Sequence, residues 1–160
     1  GAAQKSGYQK ALSMNADQIV LLHGDGQYHT ADTIALCNTL GKAVIGSRFR
    51  VDPSVIPIWR RLGNRLLTGV ANLRYGTQHT ELHSGSRAFS ADLLREIEFT
   101  RFSDDYLFDQ QMLCAILSKG YVLEERPVRV RYDSTVRSIS FLRSVRYGLG
   151  CIREIYKGSP

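Results

Sequence analysis

Two short apolar runs, each followed at once by polar residues, restrict the fold of this chain more than any other feature. They cover residues 17–23 and 42–47. Apolar runs of this length between polar residues are typical of buried strands. Segments with helical spacing separate and follow them. Because strands that alternate with helices build a layered sheet, we predict an α/β domain with helices on both faces.

Apolar residues three and four positions apart, with suitable capping residues, predict the helices. These helices are expected at residues 5–14, 30–40, 58–73, 103–119 and 139–156. Residues 84–89 and 121–132 are expected to be extended. The predicted apolar stripe of the third helix consists of Trp59, Leu62, Leu66, Val70 and Leu73.

The loops after the first two strands are the first place to look for a site, since open α/β sheets bind ligands beyond the carboxyl ends of their strands. These loops are His-Gly-Asp-Gly-Gln at residues 23–27 and Gly-Ser-Arg at residues 46–48. Asp25 and Gln27 offer a carboxylate and an amide oxygen, which suit Mg²⁺ or Mn²⁺. Asp-Gly is also a common turn pair, and spacing alone does not decide between a metal loop and a turn.

The excess of basic over acidic residues limits the classes of ligand that the chain could bind. A net charge of +6 suits a phosphate-rich ligand, an anionic membrane surface or nucleic acid. The basic residues accompany acidic loops and no aromatic–basic RNA-binding motif occurs, which argues against nucleic acid. Cys37, Cys114 and Cys151 lack metal-ligand spacing, so we expect reduced and mostly buried thiols.

The sequence Gly-Asp-Gly-Gln-Tyr at residues 24–28 resembles the metal-binding loop of family 2 glycosyltransferases with the GT-A fold. The similarity is greatest to dolichyl- and undecaprenyl-phosphate sugar transferases. Their loop carries Asp-X-Asp and, two residues later, Gln; here Asp25 is the second Asp, Gln27 is the Gln and His23 replaces the first Asp. The resemblance implies that Asp25 and Gln27 hold Mg²⁺ or Mn²⁺. It leaves open whether His23 touches the metal or only the sugar diphosphate.

Three basic residues match phosphate-binding positions of the same family. Arg48 ends a Gly-Ser-Arg motif, Arg60 begins the helix beside the lipid-phosphate acceptor, and Arg131 ends a strand that reaches the donor diphosphate. The resemblance also implies that residues 133–137 cover the site as a mobile flap. Judged from the residues alone, Arg48 and Arg60 could equally be solvated surface side chains.

The acceptor side of the family site has two matches. Residues 81–87, Glu-Leu-His-Ser-Gly-Ser-Arg, resemble its acceptor motif with Glu81 in place of Asp, and Arg87 is expected to pair with an inner carboxylate. An acidic pair at a helix start supplies the general base in GT-A enzymes, which matches Asp104 and Asp105. These two acids could instead only complement the helix dipole, so the choice of base stays open.

The last predicted helix is both apolar and basic. Its stripe consists of Leu142, Val145, Leu149 and Ile152. Its basic residues are Arg143, Arg146, Arg153 and Lys157. A basic amphipathic helix is typical of a membrane-surface or partner-binding element, although the stripe could also pack on its own domain. We therefore divide the chain into a catalytic portion, 1–138, and an interfacial helix, 139–160.

Together these matches imply a partial, Rossmann-like GT-A fold and an inverting sugar transfer. The expected partners are a nucleotide-diphosphate sugar, a polyprenyl-phosphate acceptor and the inner face of a membrane, with the protein in the cytoplasm. A further amino-terminal segment with the base pocket, or a second copy, is expected to cover the sheet edge. The alternatives are a non-catalytic GT-A interaction module and a nucleic-acid-binding α/β domain.

Overall fold

The computed structural model describes residues 1–39, 41–131 and 141–157, with side chains from residue 144 onward in the last range. The flap expected at residues 133–137 and the side chains of Leu142 and Arg143 therefore lie outside the described part. The helices are α1 (Ala2–Ser13), α2 (Thr30–Ala35), α3 (Ile58–Tyr75), α4 (Ala91–Glu96), α5 (Phe108–Ser118) and α6 (Phe141–Lys157). The strands are β1 (Gln18–Leu21), β2 (Ala43–Ser47), β3 (Arg87–Ser90) and β4 (Leu123–Pro127).

The described strands form one mixed sheet in the order β1-β3-β2-β4. β3 runs antiparallel to both β1 and β2, while β4 pairs parallel to β2. β1 and β2 therefore point the same way, and Leu21 and Ile45 both lie opposite Arg87. The loops after the first two strands meet at one sheet edge, as predicted, with the start of β3 between them.

Alternate strand residues enter cores on opposite faces of the sheet. Ile19, Ala43 and Phe89 belong to the larger core, which α1, α4 and α5 cover. Val44 and Ala88 face a smaller core on the α2 side. The described elements thus form three layers with helices on both faces, which confirms the α/β prediction.

An aromatic cluster joins α1 and α5 to the sheet. The ring of Tyr8 meets Phe89 and Phe99 edge-on, at centroid distances of 6.0 and 5.7 Å, and lies 6.2 Å from Phe108. All four side chains are buried. Edge-to-face packing of buried rings adds to the free energy gained by burying them.

The helix predicted from Ser103 begins only at Phe108. The Asp105 carboxylate accepts hydrogen bonds from the Ser103 hydroxyl at 2.7 Å and the Leu107 amide at 2.8 Å. Short polar side chains compete with helical backbone bonding in this way. The prediction of Asp104 and Asp105 in the first helical turn is therefore wrong: they form a turn before the helix.

Most of the apolar stripe of α3 faces away from the core, although Val70 packs against it. Leu62, Leu66 and Leu73 are 60%, 64% and 83% exposed. The opposite side of the helix is buried instead, at Asn64, Leu67, Thr68 and Ala71. The hydrogen bond from Asn64 Nδ2 to the Glu81 carboxylate, at 2.7 Å, holds this side of the helix against the domain.

The stripe of α6 is exposed as well. Val145 and Leu149 are 45% and 65% exposed, whereas Cys151 and Ile155 are buried. The Glu154 carboxylate accepts a hydrogen bond from the Gln111 amide at 3.1 Å, which holds this inner side against α5. The interpretation in which the stripe packs on its own domain is therefore wrong for Val145 and Leu149.

Candidate active site

Three segments meet at the sheet edge where β3 begins. The His23 Nε2 atom lies 3.0 Å from the carbonyl oxygen of Gly85, and the Gly85 amide donates to the Tyr28 hydroxyl at 2.9 Å. On the other side of the same loop, the Arg131 amide donates to the carbonyl oxygen of Gln27 at 2.8 Å. Gly85 thus contacts this loop at His23 and Tyr28, and Arg131 contacts it at Gln27.

Asp25 lies at the exposed tip of this loop. Its Oδ1 atom accepts the Gln27 amide at 3.1 Å, and Gly26 between them has a φ of 68°. That left-handed conformation favours glycine and keeps the two flanking side chains in one short turn. Among the described residues, no three His, Cys, Asp or Glu side chains form a ligand group. The Asp25 carboxylate and the Gln27 side-chain oxygen are of the kind that Mg²⁺ or Mn²⁺ takes as ligands.

Close approach explains the glycine at residue 85. A Cβ atom there would lie 2.3 Å from His23 Nε2. Any larger residue would displace the imidazole, because non-bonded atoms do not approach so closely. Gly85 thus permits the contact that joins the residue 23–28 loop to the acceptor motif.

A buried ion pair joins Arg48 to Glu81. The Glu81 side chain is fully buried and its Oε1 atom accepts Arg48 Nε and Asn64 Nδ2, each at 2.7 Å. Its Oε2 atom accepts the Arg48 backbone amide, also at 2.7 Å. Because both carboxylate oxygens are occupied, the geometry favours a positioning role for Glu81 over proton transfer.

A second carboxylate, Glu125 of β4, fixes the residues just before Glu81. It accepts the Thr80 hydroxyl at 2.6 Å, the Glu81 amide at 2.8 Å and the Arg50 guanidinium at 2.9 Å. Burial raises the pKa of Glu125, but the hydrogen bonds from Thr80 and Glu81 outweigh it and hold the pKa below its usual value. Nothing in the sequence around Glu125 indicated this role.

Arg87 pairs with an inner carboxylate, as predicted, and the partner is Asp109. The guanidinium is 3% exposed and donates to Asp109 Oδ1 at 3.1 Å and to the Ser84 carbonyl at 3.0 Å. Asp109 lies in the first turn of α5. Sequence reasoning missed it because its partner Arg87 belongs to β3, a different element.

His83 is half-buried, and both of its ring nitrogens are buried near these two ion pairs. Neither ring nitrogen has a hydrogen-bond partner among the described residues, and the Tyr147 ring meets the imidazole edge-on at 6.3 Å. Burial, and then the positive charges of Arg87 and Arg48, lower the pKa of His83 to about 3. The folded protein therefore holds a neutral imidazole at this position.

We expect the stability of the fold to decline below pH 6.5 in a way that depends on His83. In the unfolded chain the His83 imidazole gains a proton near pH 6.5, its usual pKa. In the folded chain it gains that proton only near pH 3, so lowering the pH between these two values favours unfolding. The contribution of His83 reaches about 1.4 kcal/mol per pH unit. Urea unfolding of the His83→Phe variant across this range should show a shallower decline. Parallel pH profiles of the variant and the unaltered chain would contradict the assignment.

An ion pair that the sequence did not indicate links α2 to the residues after β4. Arg129 donates to both carboxylate oxygens of Asp32, at 2.8 and 2.6 Å, and its backbone amide adds a bond of 3.0 Å. These hydrogen bonds hold the pKa of Asp32 well below its usual range. Two residues beyond, Arg131 is exposed beside the loop that carries Asp25.

The other predicted site residues make their described contacts with side chains outside these loops. The Arg60 guanidinium covers the ring of Trp59 at 5.0 Å, and Asp104, with a side chain 74% exposed, pairs with Lys5 at 2.8 Å. The Ser103 hydroxyl and the Leu107 amide lower the pKa of Asp105. In the described part of the chain, no hydrogen bond or ion pair joins Arg60, Asp104 or Asp105 to the sheet edge.

Comparison with known proteins finds relatives over most of the chain. UDP-N-acetylglucosamine–dolichyl-phosphate N-acetylglucosaminyltransferase of Methanococcus voltae is 33% identical over 139 residues, covering 82% of this chain and 55% of the relative. Glycosyltransferase AglJ of Haloferax volcanii is 26% identical over 111 residues, covering 67% and 36%. An uncharacterized protein of Methanocaldococcus jannaschii is 28% identical over 138 residues, covering 82% and 57%.

No protein-family model and no solved structure matches the chain. The chain spans about half the length of two of these relatives, at 57% and 55%. Two of the three relatives are named as glycosyltransferases, and the mixed α/β sheet agrees with a partial Rossmann-like GT-A fold. The chain is thus homologous, over 82% and 67% of its own length, to two proteins that are named as glycosyltransferases.

Proposed function

We propose that this chain forms the metal, diphosphate and acceptor side of an inverting glycosyltransferase. One observation carries the proposal: the Asp25–Gln27 turn, the acceptor motif and Arg131 share one sheet edge, joined through Gly85 and the Gln27 carbonyl. The M. voltae relative is named for a UDP-N-acetylglucosamine donor and a dolichyl-phosphate acceptor. A nucleotide-diphosphate sugar and a polyprenyl phosphate are therefore the substrate classes that we assign.

The donor side consists of groups suited to a diphosphate. Asp25 and Gln27 would hold Mg²⁺ or Mn²⁺, which neutralises the charge of the leaving diphosphate. His23, fixed by its contact with Gly85, lies at the base of the same loop, and the exposed Arg131 lies beside it. A cation from Arg131 would further stabilise the charge that develops on the leaving group.

The acceptor side favours a nucleophile that is already an anion. Asp105 is a weak base because its pKa is lowered, and Asp104 is exposed and paired with Lys5. A phosphate acceptor needs no strong base, since its oxygen carries negative charge at neutral pH. That oxygen would attack the anomeric carbon opposite the diphosphate, so the new bond forms as the old one breaks and the configuration inverts. Arg48 and Arg60 would balance the acceptor's charge.

We expect Asp25→Ala to weaken Mn²⁺-dependent binding of UDP-N-acetylglucosamine by at least about tenfold, which corresponds to about 1.4 kcal/mol. Loss of the carboxylate removes the only charged ligand that the 24–27 turn offers. Isothermal titration of the full chain, with and without Mn²⁺, measures this directly. Asp92→Ala is the matched control, because that carboxylate is exposed on α4 and its described ion pair, with Arg95, lies at the surface.

Two results would refute the proposal. If the donor bound equally well with and without Mn²⁺, the proposed metal site would be wrong. If donor binding were unchanged in both Asp25→Ala and Asp92→Ala, the 24–27 turn would not be part of the donor site. Metal-dependent binding that only the first substitution abolishes would also separate an enzyme from a non-catalytic module with this fold.

A further inference from the structure

We propose that Asp32 and Arg129 are positioning residues for the donor side, and that their ion pair sets the place of Arg131 relative to the 24–27 turn. This inference rests on the proposed function, since it gives the pair a role in binding the donor diphosphate. Neither residue touches the donor in this assignment. Both act through the backbone segments that they hold together.

Residues 27–29 and 129–131 form a short antiparallel ribbon. Tyr28 and Val130 are bridge partners at its centre. Two backbone hydrogen bonds flank the bridge, from the His29 amide to the Arg129 carbonyl at 3.1 Å and from the Arg131 amide to the Gln27 carbonyl at 2.8 Å. The bridge therefore places opposite residues in a fixed register along the ribbon.

One face of this ribbon carries both groups that we assign to the diphosphate. Successive side chains of extended backbone point to opposite faces, and the Tyr28 side chain enters the smaller core. The contact of 3.3 Å between His29 Nδ1 and the Arg129 guanidinium lies on the other, outer face. Gln27 and Arg131 are the next opposed pair on that face, and directly opposed residues have Cβ atoms about 5 Å apart.

The ion pair closes the end of the ribbon that lies away from Gln27 and Arg131. The Asp32 carboxylate accepts three hydrogen bonds from Arg129, two from the guanidinium and one from the backbone amide, at 2.8, 2.6 and 3.0 Å. Asp32 belongs to the first turn of α2, which begins directly after the ribbon residue His29. The pair thus ties one segment of the ribbon to the helix that continues the other.

The exposure of the pair argues for positioning rather than for a large contribution to stability. The Arg129 side chain is 60% exposed, against 18% for that of Asp32. Ion pairs with an exposed partner contribute little to the free energy of unfolding, because water screens them. Binding a diphosphate between a metal and a cation instead requires side chains held to within about 0.5 Å. Loss of the pair should therefore leave the fold intact and misplace Arg131.

The test compares Arg129→Gln with Arg126→Gln in the full chain. Arg126 is the matched control, because it carries the same charge on the same segment but pairs with Glu124, outside the ribbon. In Arg129→Gln we expect the Arg131 amide to exchange with solvent at least about tenfold faster, as measured by nuclear magnetic resonance. Isothermal titration with Mn²⁺ should show the affinity for UDP-N-acetylglucosamine lowered by at least about tenfold. Urea unfolding midpoints of the two variants should agree.

A double-mutant cycle shows whether Arg129 acts through Arg131. If it does, Arg129→Gln should change donor affinity by less than about twofold in a chain that already carries Arg131→Ala. A direct effect of the lost charge on the donor would instead be the same in both backgrounds.

Four outcomes would overturn the inference: an unchanged exchange rate at Arg131, an unchanged donor affinity in Arg129→Gln, an equal loss in Arg126→Gln, or additive losses in the cycle. If the unaltered chain failed to bind the donor with Mn²⁺, the proposed function would fail and the positioning role with it. If the unaltered chain bound the donor and Arg129→Gln bound it equally well, only the positioning role would fail.

Discussion

Replacing Glu81 by alanine should lower the free energy of unfolding by about 3–5 kcal/mol. The substitution leaves the Arg48 guanidinium, whose side chain is 11% exposed, without the carboxylate that holds it. It also removes the acceptor for the Arg48 amide and for Asn64 Nδ2. Buried donors without acceptors retain their full desolvation cost, so the loss exceeds that of an ordinary hydrogen bond. Urea unfolding followed by circular dichroism measures it.

The control for Glu81 is an exposed ion pair. Glu98 pairs with Arg101, and their side chains are 64% and 72% exposed, so Glu98→Ala should cost less than about 1 kcal/mol. The double variant Arg48→Ala, Glu81→Ala should lose less than the sum of its single variants, because no buried charge then stays unpaired. A Glu81→Ala loss as small as that of Glu98→Ala would show that the buried pair does not hold this edge together.

Phe108→Ala should also lower the free energy of unfolding by about 3–5 kcal/mol. The Phe108 side chain is 1% exposed and contacts Tyr8 and Phe102 in the larger core. Alanine removes those contacts and leaves a cavity that the sheet and α1 cannot fill without moving. Thermal unfolding gives the difference in stability.

Tyr106→Ala is the matched control for Phe108, since that aromatic ring is two residues away and 70% exposed. It should change stability by less than about 0.5 kcal/mol. If both substitutions had the same effect, the aromatic cluster would not be the anchor of α5. Near-ultraviolet circular dichroism separates a locally loosened cluster from global unfolding.

The layered fold was predictable because the strong signals are local. The apolar runs gave β1 and β2, and Gly76 in the left-handed conformation ends α3 close to where the apolar spacing stops. The sequence predicted the apolar stripes of α3 and α6, but not whether they face the core or the solvent. Periodicity identifies an apolar side of a helix and cannot say whether the domain or another surface covers it.

The loops of the site were predictable, but the ion pairs that hold them were not. The position of Arg48 followed from its strand end, whereas its partner Glu81 lies 33 residues away in sequence. Asp109 and Glu125 were missed because their partners come from other elements, brought near only when the sheet forms. The roles of Asp25 and Gln27 as metal ligands stay predictions.

The strand order has a consequence for the nascent chain. β1 and β2 do not pair with each other in the described sheet, and each lies beside β3, which comes later in the sequence than both. Because synthesis proceeds from the amino terminus, neither strand can pair with β3 until residues 87–90 have been added to the chain. Translation of residues 48–86 therefore separates the synthesis of β2 from that of its neighbour β3.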